Sequence, residues 1–170
     1  MNKETKHRNL LPVIAAAVVI AAAAVTLLPK NSEDKNDAQV LESTASVSGS
    51  DLLIQSKDIG TAASYFDYDA NGINVQVFAV QASDGTIRLA LNTCQICNGS
   101  PYAYFEQDGD WFICQNCRNR FASTDVGVLN GGCNPVPITD QVYTEQDGTI
   151  TIPASFLDES ADLFRNWKKF

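Results

Sequence analysis

Five cysteines are the residues whose type and spacing point most clearly to chemistry, and all of them lie between residues 94 and 133. Cys94 and Cys97 form one C-x-x-C pair, and Cys114 and Cys117 form another, with 16 residues between the pairs. Two such pairs on tight turns can supply four thiolates to one tetrahedral metal ion. The spacing therefore predicts a metal site made of these four cysteines, without identifying the metal.

Residues that tolerate a positive φ angle follow each pair: Asn98-Gly99 after the first and Arg118-Asn119 after the second. A positive φ lets the backbone N–H groups of such a turn point towards sulfur. We therefore expect both turns to adopt this geometry.

Cys133 follows two glycines in the segment Gly-Gly-Cys-Asn-Pro-Val-Pro. Gly131 and Gly132 would let the backbone approach another group closely, and the expected neighbour is the metal centre. The thiol of Cys133 is predicted to be a further ligand, a resolving thiol or a cysteine buried beside the site. We include it in the predicted set of cofactor-binding residues.

Three other interpretations of the cysteine pairs stay open. Outside the cytoplasm, four cysteines could form two disulfides, and a C-x-x-C pair could act as a redox dithiol. Neither pair is followed by a helix signal in a βαβ pattern, so the sequence disfavours a thioredoxin-like dithiol. A structural zinc ion is the third interpretation, because zinc needs neither cluster assembly nor an electron partner.

The rest of the sequence argues against several functions. The only histidine is His7, so the body of the chain has no imidazole for a nucleophile, a general base or a metal ligand. The formal net charge is -8, and it becomes -11 once the first 30 residues, with four basic residues and one acidic residue, are left out. A body this acidic repels phosphate, which argues against nucleic-acid binding.

Residues 10–28 form an uncharged and largely apolar run. As a helix this run would be about 28 Å long, close to the thickness of the hydrocarbon core of a bilayer. Lys3, Lys6 and Arg8 precede the run and acidic residues follow it, so the positive-inside rule places the N-terminus in the cytoplasm. We predict an uncleaved signal anchor; a cleaved signal peptide is the alternative.

This topology divides the chain into four regions. Residues 1–9 form a cytoplasmic tail, residues 10–28 a transmembrane helix, residues 29–50 a flexible polar linker and residues 51–170 an extracytoplasmic cysteine-rich domain. The predicted location is the cell membrane, crossed once, with the C-terminal domain outside the cytoplasm.

Four turn signals divide the C-terminal domain into β-hairpins. Each is an Asn-Gly or Asp-Gly pair beside β-branched or aromatic residues, which is typical of tight antiparallel turns. The pairs are Asn71-Gly72, Asp84-Gly85, Asp108-Gly109 and Asp147-Gly148. We therefore predict a mainly β fold, a small antiparallel domain of the β-sandwich or Rieske-like type.

One helix is predicted at the C-terminus, after Pro153 ends the last strand. Ser155 is the expected N-cap residue, and Phe156, Phe164 and Trp167 recur near helical spacing. This aromatic stripe is predicted to pack in the core.

The cysteine motifs and their surroundings resemble the FtrD-like family of membrane iron–sulfur proteins. The similarity covers roughly residues 65–137 and includes Tyr65-x-x-Tyr68-x-x-x-Gly72, Ile87-Arg88-Leu89-Ala90-Leu91, both C-x-x-C pairs, Arg120-Phe121 and Gly-Gly-Cys133-Asn-Pro. The resemblance implies a membrane-anchored extracytoplasmic protein that binds an iron–sulfur cluster or iron and is associated with ferrous-iron uptake. Because one membrane span is predicted here, transport itself would belong to a partner protein. The predicted partner is a membrane permease or a redox protein.

The layout is also similar to that of Rieske domains, in which two short ligand motifs on hairpin loops precede a glycine-rich loop with a Pro-x-Pro sequence. Rieske centres need two histidine ligands, and this domain has none. An all-cysteine centre would have a lower reduction potential, because additional thiolate charge stabilises the oxidised state.

The metal stays open at this point. The N-terminus has no twin-arginine pair, so export of an unfolded chain is expected. A cluster assembled in the cytoplasm would not survive that step, whereas zinc could be loaded outside. We predict an electron-transfer or metal-binding protein more than an enzyme, with Trp111, Phe112 and Phe121 as the apolar surroundings of an iron–sulfur centre. The alternative is a zinc-stabilised binding or metal-delivery module.

Overall fold

The computed structural model describes residues 42–46, 49–129 and 131–169, and for residues 42–46 it describes the backbone alone. The predicted transmembrane helix, residues 10–28, and the tail before it lie outside these ranges. Within the described part of the chain, no helix is long and apolar enough to cross a membrane.

The described part of the chain contains eleven strands. They are β1 (Glu42–Ser46), β2 (Leu52–Gln55), β3 (Ser64–Ala70), β4 (Ile73–Gln81), β5 (Ile87–Cys94), β6 (Phe105–Asp108), β7 (Trp111–Cys114), β8 (Arg120–Ala122), β9 (Pro135–Pro137), β10 (Thr144–Gln146) and β11 (Thr149–Ile152). A central sheet has the order β1-β3-β4-β5-β9, and two three-stranded sheets have the orders β10-β11-β2 and β6-β7-β8. Every pairing is antiparallel except that of β1 with β3. The predicted antiparallel, mainly β fold is therefore confirmed.

The four predicted turn pairs all connect consecutive, paired strands. In the first pair, Asn71 and Gly72 have φ angles of 55° and 89°, and in the last, Asp147 and Gly148 have φ angles of 51° and 74°. Two successive positive φ angles are the geometry of a type I′ turn, whose twist matches that of the flanking strands. Short-range turn chemistry thus sets the register of these hairpins.

Strand β1 corrects the predicted linker. The sequence predicts a flexible segment over residues 29–50, but Glu42–Ser46 is a strand that pairs in parallel with β3. Its sequence, Glu-Ser-Thr-Ala-Ser, has no alternation of apolar and polar residues. A strand of this kind gives no periodic signal, since the backbone makes the pairing.

The C-terminal helix, α1, spans Ala154–Glu159, and a 3-10 helix follows at Ala161–Phe164. Ser155 lies inside α1 and is not its N-cap, so that detail of the prediction is wrong. The backbone N–H of Ala154 donates instead to Asp51 Oδ1 at 2.9 Å. The carboxylate of Asp51, more than 100 residues away in sequence, thus caps the start of α1 in place of a local side chain.

The central sheet separates two hydrophobic clusters, because successive residues of a strand face opposite sides. One cluster, the structural core, contains Val75, Val77 and Ala79 of β4 together with residues of sheet β10-β11-β2 and of α1. The other, the cysteine core, contains Phe78 and Val80 of β4 together with residues of β6 and β7. The fold is therefore layered, with the central sheet in the middle.

The aromatic residues of the C-terminal segment belong to the structural core. Phe164 is buried there, and Phe156 and Trp167 pack against it. Their predicted packing role is confirmed.

Candidate metal centre

Three separate segments position the cysteines. Cys94 is the last residue of β5 and Cys114 is the last residue of β7, so each C-x-x-C turn begins where a strand ends. Cys133 lies in the loop before β9, and the pairing of β9 with β5 places Pro135 opposite Cys94. The strand register thus brings the loop of Cys133 beside the first turn.

Gln95, for which the sequence gives no signal, ties the first turn to the loop of Cys133. Its backbone N–H donates to Asn134 O at 2.9 Å, and its Nε2 donates to Pro135 O at 3.1 Å. Its Oε1 accepts a hydrogen bond from Gly131 N at 3.1 Å. A middle residue of a C-x-x-C pair is usually read as a spacer, whereas here it is a positioning residue.

The two C-x-x-C turns are also connected to each other. Gln115 N, in the second turn, donates to Tyr104 O at 2.8 Å. Ser100 Oγ, just after the first turn, donates to Asn116 Oδ1 at 2.7 Å. These bonds hold the second turn beside the segment that follows the first turn.

The backbone of the two turns differs. Arg118 has a φ angle of 63°, and its N–H donates to Cys114 O at 2.8 Å, so the expected positive φ is present in the second turn. In the first turn neither Asn98 nor Gly99 has a positive φ, and that expectation is wrong. The Asn98 side chain closes this turn instead, because its Nδ2 donates to Gln95 O at 3.0 Å.

The glycines before Cys133 are needed for their backbone angles. Gly131 and Gly132 have φ angles of 88° and 69°, which side chains with a Cβ rarely adopt. A Cβ at either position would have no neighbouring atom within 4 Å. Among the protein atoms, the backbone angles and not crowding therefore favour glycine at these positions, and the approach to a metal centre stays a prediction.

The sulfur atoms of the five cysteines form two overlapping groups of three. Cys94, Cys97 and Cys114 form one group, and Cys97, Cys117 and Cys133 form the other. Within each group all sulfur atoms lie within 4.8 Å of one another, and the Cys97 and Cys133 Sγ atoms are 3.9 Å apart. The structure brings together all five predicted residues as free thiols. Their role as ligands stays a prediction.

Exposure to solvent changes across the thiol cluster. Cys94 and Cys114 are fully buried in the cysteine core, Cys97 and Cys133 are half-buried, and Cys117 is exposed. The site therefore runs from the interior of the protein to its surface.

Hydrogen bonds between thiols shift their pKa values. The thiol of Cys94 donates to Cys114 Sγ, which lowers the pKa of Cys114 to about 5. The same bond, together with burial, raises the pKa of Cys94. A hydrogen bond from Cys117 likewise lowers the pKa of Cys133. Cys114 and Cys133 thus lose their protons more readily than an ordinary cysteine, and the thiolate is the form that binds metal ions.

Aromatic side chains line the buried part of the site. Phe112 is fully buried and stacks on Phe78, with ring centroids 4.5 Å apart. Phe105 meets Phe121 edge to face at 6.1 Å. The predicted packing of Phe112 and Phe121 near the cysteines is confirmed. Phe78 and Phe105 belong to no sequence motif. Phe78 is, however, an apolar residue at a position of β4 where the apolar–polar alternation would place a polar one, and this indicates a strand buried on both faces.

Trp111 is a correction to the predicted surroundings. Its side chain is 43% exposed, and the guanidinium of Arg120 lies 5.0 Å from its ring centroid. Trp111 precedes Phe112 in β7, and neighbouring residues of a strand point to opposite faces. Since Phe112 faces the cysteine core, Trp111 faces away from it.

A buried amide joins the central sheet to the sheet of the second cysteine pair. Asn92 Oδ1 accepts a hydrogen bond from Phe105 N at 2.8 Å, and Asn92 Nδ2 donates to Gln76 Oε1 at 2.8 Å. Asn92 lies two residues before Cys94 and therefore on the same face of β5. Strand periodicity alone could have placed it beside the site.

The donor set fits an iron–sulfur centre. Cysteine thiolates are the usual ligands of such clusters, and the Cys97 N–H donates to Cys94 Sγ at 3.3 Å, a contact that tunes cluster potentials. Thiolates alone also suit zinc, so the side chains fit both groups.

A family model agrees with the iron–sulfur interpretation. The model, described as membrane iron-sulfur containing protein FtrD-like, matches residues 52–164. No significant match is found among curated proteins or among solved structures. The matched range is more than half of the chain and includes all five cysteines. On this evidence the chain belongs to the FtrD-like family of membrane iron–sulfur-containing proteins.

Proposed function

We propose that this protein transfers single electrons between a cysteine-bound iron–sulfur centre and a membrane partner that handles iron. The convergence of five thiols from three loops, with Cys94 and Cys114 buried among aromatic rings, is the observation that carries the proposal. Cys94, Cys97, Cys114, Cys117 and Cys133 would hold the centre. When bound, such a centre supplies reversible one-electron chemistry.

The surrounding residues would tune the reduction potential. Phe78 and Phe112 exclude water from the buried thiols of Cys94 and Cys114, and a low dielectric disfavours the additional negative charge of the reduced state. The N–H of Cys97 acts in the other direction, because a donor to the sulfur of Cys94 stabilises that charge. The reduction potential would therefore be set by residues of this chain and not by the partner.

The exposed side of the site offers a place for a partner to exchange electrons. Cys117 is exposed, and Ile96, in the first turn, is 67% exposed. The segments 94–104, 112–122 and 126–139 contain no acidic residue, although the body of the chain is strongly acidic. A redox protein or permease could therefore approach Cys117 without the repulsion that the rest of the surface would impose.

We also propose the membrane topology that the charge pattern predicts. Residues 1–9 would lie in the cytoplasm, residues 10–28 would span the membrane, and the domain of residues 51–170 would lie outside the cytoplasm. The membrane association of the family and the basic residues before the apolar run support this arrangement.

A zinc-stabilised binding or metal-delivery module is the second candidate. The sheet β6-β7-β8 contains only short strands, and a thiolate-bound ion at its end would stabilise a unit too small for a core of its own. This function needs no redox partner.

Anaerobic purification of the full chain from its membrane fraction separates the two candidates. For an iron–sulfur centre we expect visible absorbance that dithionite bleaches, together with iron and acid-labile sulfide. The variant Cys114→Ser should lose iron, sulfide and colour. A colourless protein with stoichiometric zinc would establish the second candidate, and a mass corresponding to two disulfides would remove both.

A further inference from the structure

The thiols are not arranged as four ligands of a single ion. A tetrahedral ion with metal–sulfur bonds of about 2.3 Å needs all sulfur–sulfur distances near about 3.8 Å. Among the described residues, the groups whose ligand atoms all lie within 4.8 Å of one another contain three members and no more. The two C-x-x-C pairs therefore do not meet around one point as a set of four.

Cys97 belongs to both groups of three. With Cys94 and Cys114 it forms an inner group, whose other two members are fully buried. With Cys117 and Cys133 it forms an outer group, and its Sγ lies 3.9 Å from Cys133 Sγ, close to the tetrahedral separation. The inner group combines thiols from the two C-x-x-C turns, and the outer group combines thiols from all three loops.

The charge of the site also favours two ions. Five thiolates around one divalent ion would leave three negative charges, whereas two divalent ions would leave one. No cationic side chain is buried in the described part of the chain to balance the excess. Uncompensated charge in an apolar interior is costly, so a second cation stabilises the fully deprotonated site.

We propose that the centre has two metal positions that share the sulfur of Cys97, an extension that rests on the proposed metal-binding function. The inner position is formed by Cys94, Cys97 and Cys114, and the outer position by Cys97, Cys117 and Cys133. Both positions take thiophilic metal ions. Cys133 is then a full ligand of the outer position.

The two positions differ in access. The inner position lies beside Phe112, and two of its three thiols are inaccessible to solvent. The outer position includes the exposed Cys117 and therefore exchanges its metal ion faster than the inner one. The thiolate of Cys97, shared by both positions, would couple the two ions electronically when redox-active ions are bound.

Cadmium-113 tests this arrangement, because it is thiophilic and observable by NMR. We expect the full chain, reconstituted with this isotope, to bind two ions and to give two resonances that are scalar-coupled to each other. The β-protons of Cys97 should correlate with both resonances. Cys133→Ser should lower the bound cadmium from two ions to one and remove the outer resonance, and Cys114→Ser should remove the inner one.

One bound ion in the wild-type chain, or two resonances without mutual coupling, would overturn the shared-thiolate arrangement. Such a result would leave the proposed function intact, because that function is judged by iron, sulfide and bleaching in the protein as isolated. Conversely, a coupled cadmium pair in a chain that is isolated with zinc alone would support the two positions and contradict the redox role. Failure to bind cadmium would likewise overturn the two metal positions, while the proposed function would still be judged by the iron and sulfide of the isolated protein.

Discussion

Val77 and Phe78 are neighbours in β4, yet their side chains lie in different cores. On the side of Val77, the central sheet packs against β10-β11-β2 and α1, and the buried side chains there are mostly aliphatic. On the side of Phe78 it packs against the strands of the second cysteine pair, and about half of the buried side chains there are aromatic or sulfur-containing. The same strands thus form a packing core on one face and a candidate metal site on the other.

The two faces also differ in buried polar groups. Gln76 and Asn92 are almost completely buried, and they are hydrogen-bonded to each other on the face of the cysteine core. Buried amides are tolerated only when their partners are in place. This face therefore depends on fixed geometry, which a metal site requires, whereas the other face depends mainly on burial of apolar area.

Truncation of one large residue in each core tests this division. Phe112→Ala should reduce the free energy of unfolding by about 3–5 kcal/mol, and Leu157→Ala, in the structural core, by about 2–5 kcal/mol. Both side chains are fully buried. Urea unfolding of the solubilised full chain would measure the loss.

The two variants should differ in metal binding. Phe112→Ala opens a cavity beside the inner thiols, so it should also weaken cadmium retention, while Leu157→Ala should leave the retention per folded molecule unchanged. Equal effects on retention would mean that the two faces are not functionally separate.

Asn92→Ala should have an intermediate effect on the free energy of unfolding. It removes the acceptor of the Phe105 N–H, and a buried donor without a partner costs about 1–3 kcal/mol. Because this bond joins the central sheet to β6, hydrogen exchange should accelerate in β6 and β7 before β10 and β11. Asn166→Ala is the matched control, since that exposed amide makes only a 3.4 Å contact and its loss should fall within about 0.5 kcal/mol.

Asp51→Ala probes the structural core alone. It removes the acceptor of the Ala154 N–H at the start of α1 and should cost about 1 kcal/mol in thermal unfolding, with no change in bound metal. Asp51→Asn keeps an acceptor oxygen and should recover most of the loss. Release of metal by Asp51→Ala would reveal coupling between the two faces.

Local chemistry in the sequence predicts the hairpins, because Asn-Gly and Asp-Gly pairs fix both the turn and the register around it. The two C-x-x-C pairs likewise point to a thiol site. The pairing of β1 and the cap of α1 could not be predicted, since each depends on residues distant in sequence and on backbone groups that carry no pattern. The position of Cys133 depends on the pairing of β9 with β5, which is equally non-local.

Trp111→Ala should have the smallest effect on stability and on metal retention. It is the most direct test of which residues of β7 face the site. The sequence places Trp111 beside the metal centre, but in β7 it lies on the face opposite to Phe112 and contacts Arg120 at the surface. Removal of an exposed cation–π contact should cost about 0.5–1 kcal/mol, and cadmium retention should match that of the wild-type chain. Phe112→Ala, one residue away, is the control with the opposite expectation. If Trp111→Ala released metal as readily as Phe112→Ala does, the alternation of side chains along β7 would not separate the surface from the site. The proposed division between the two faces of the molecule would then be wrong.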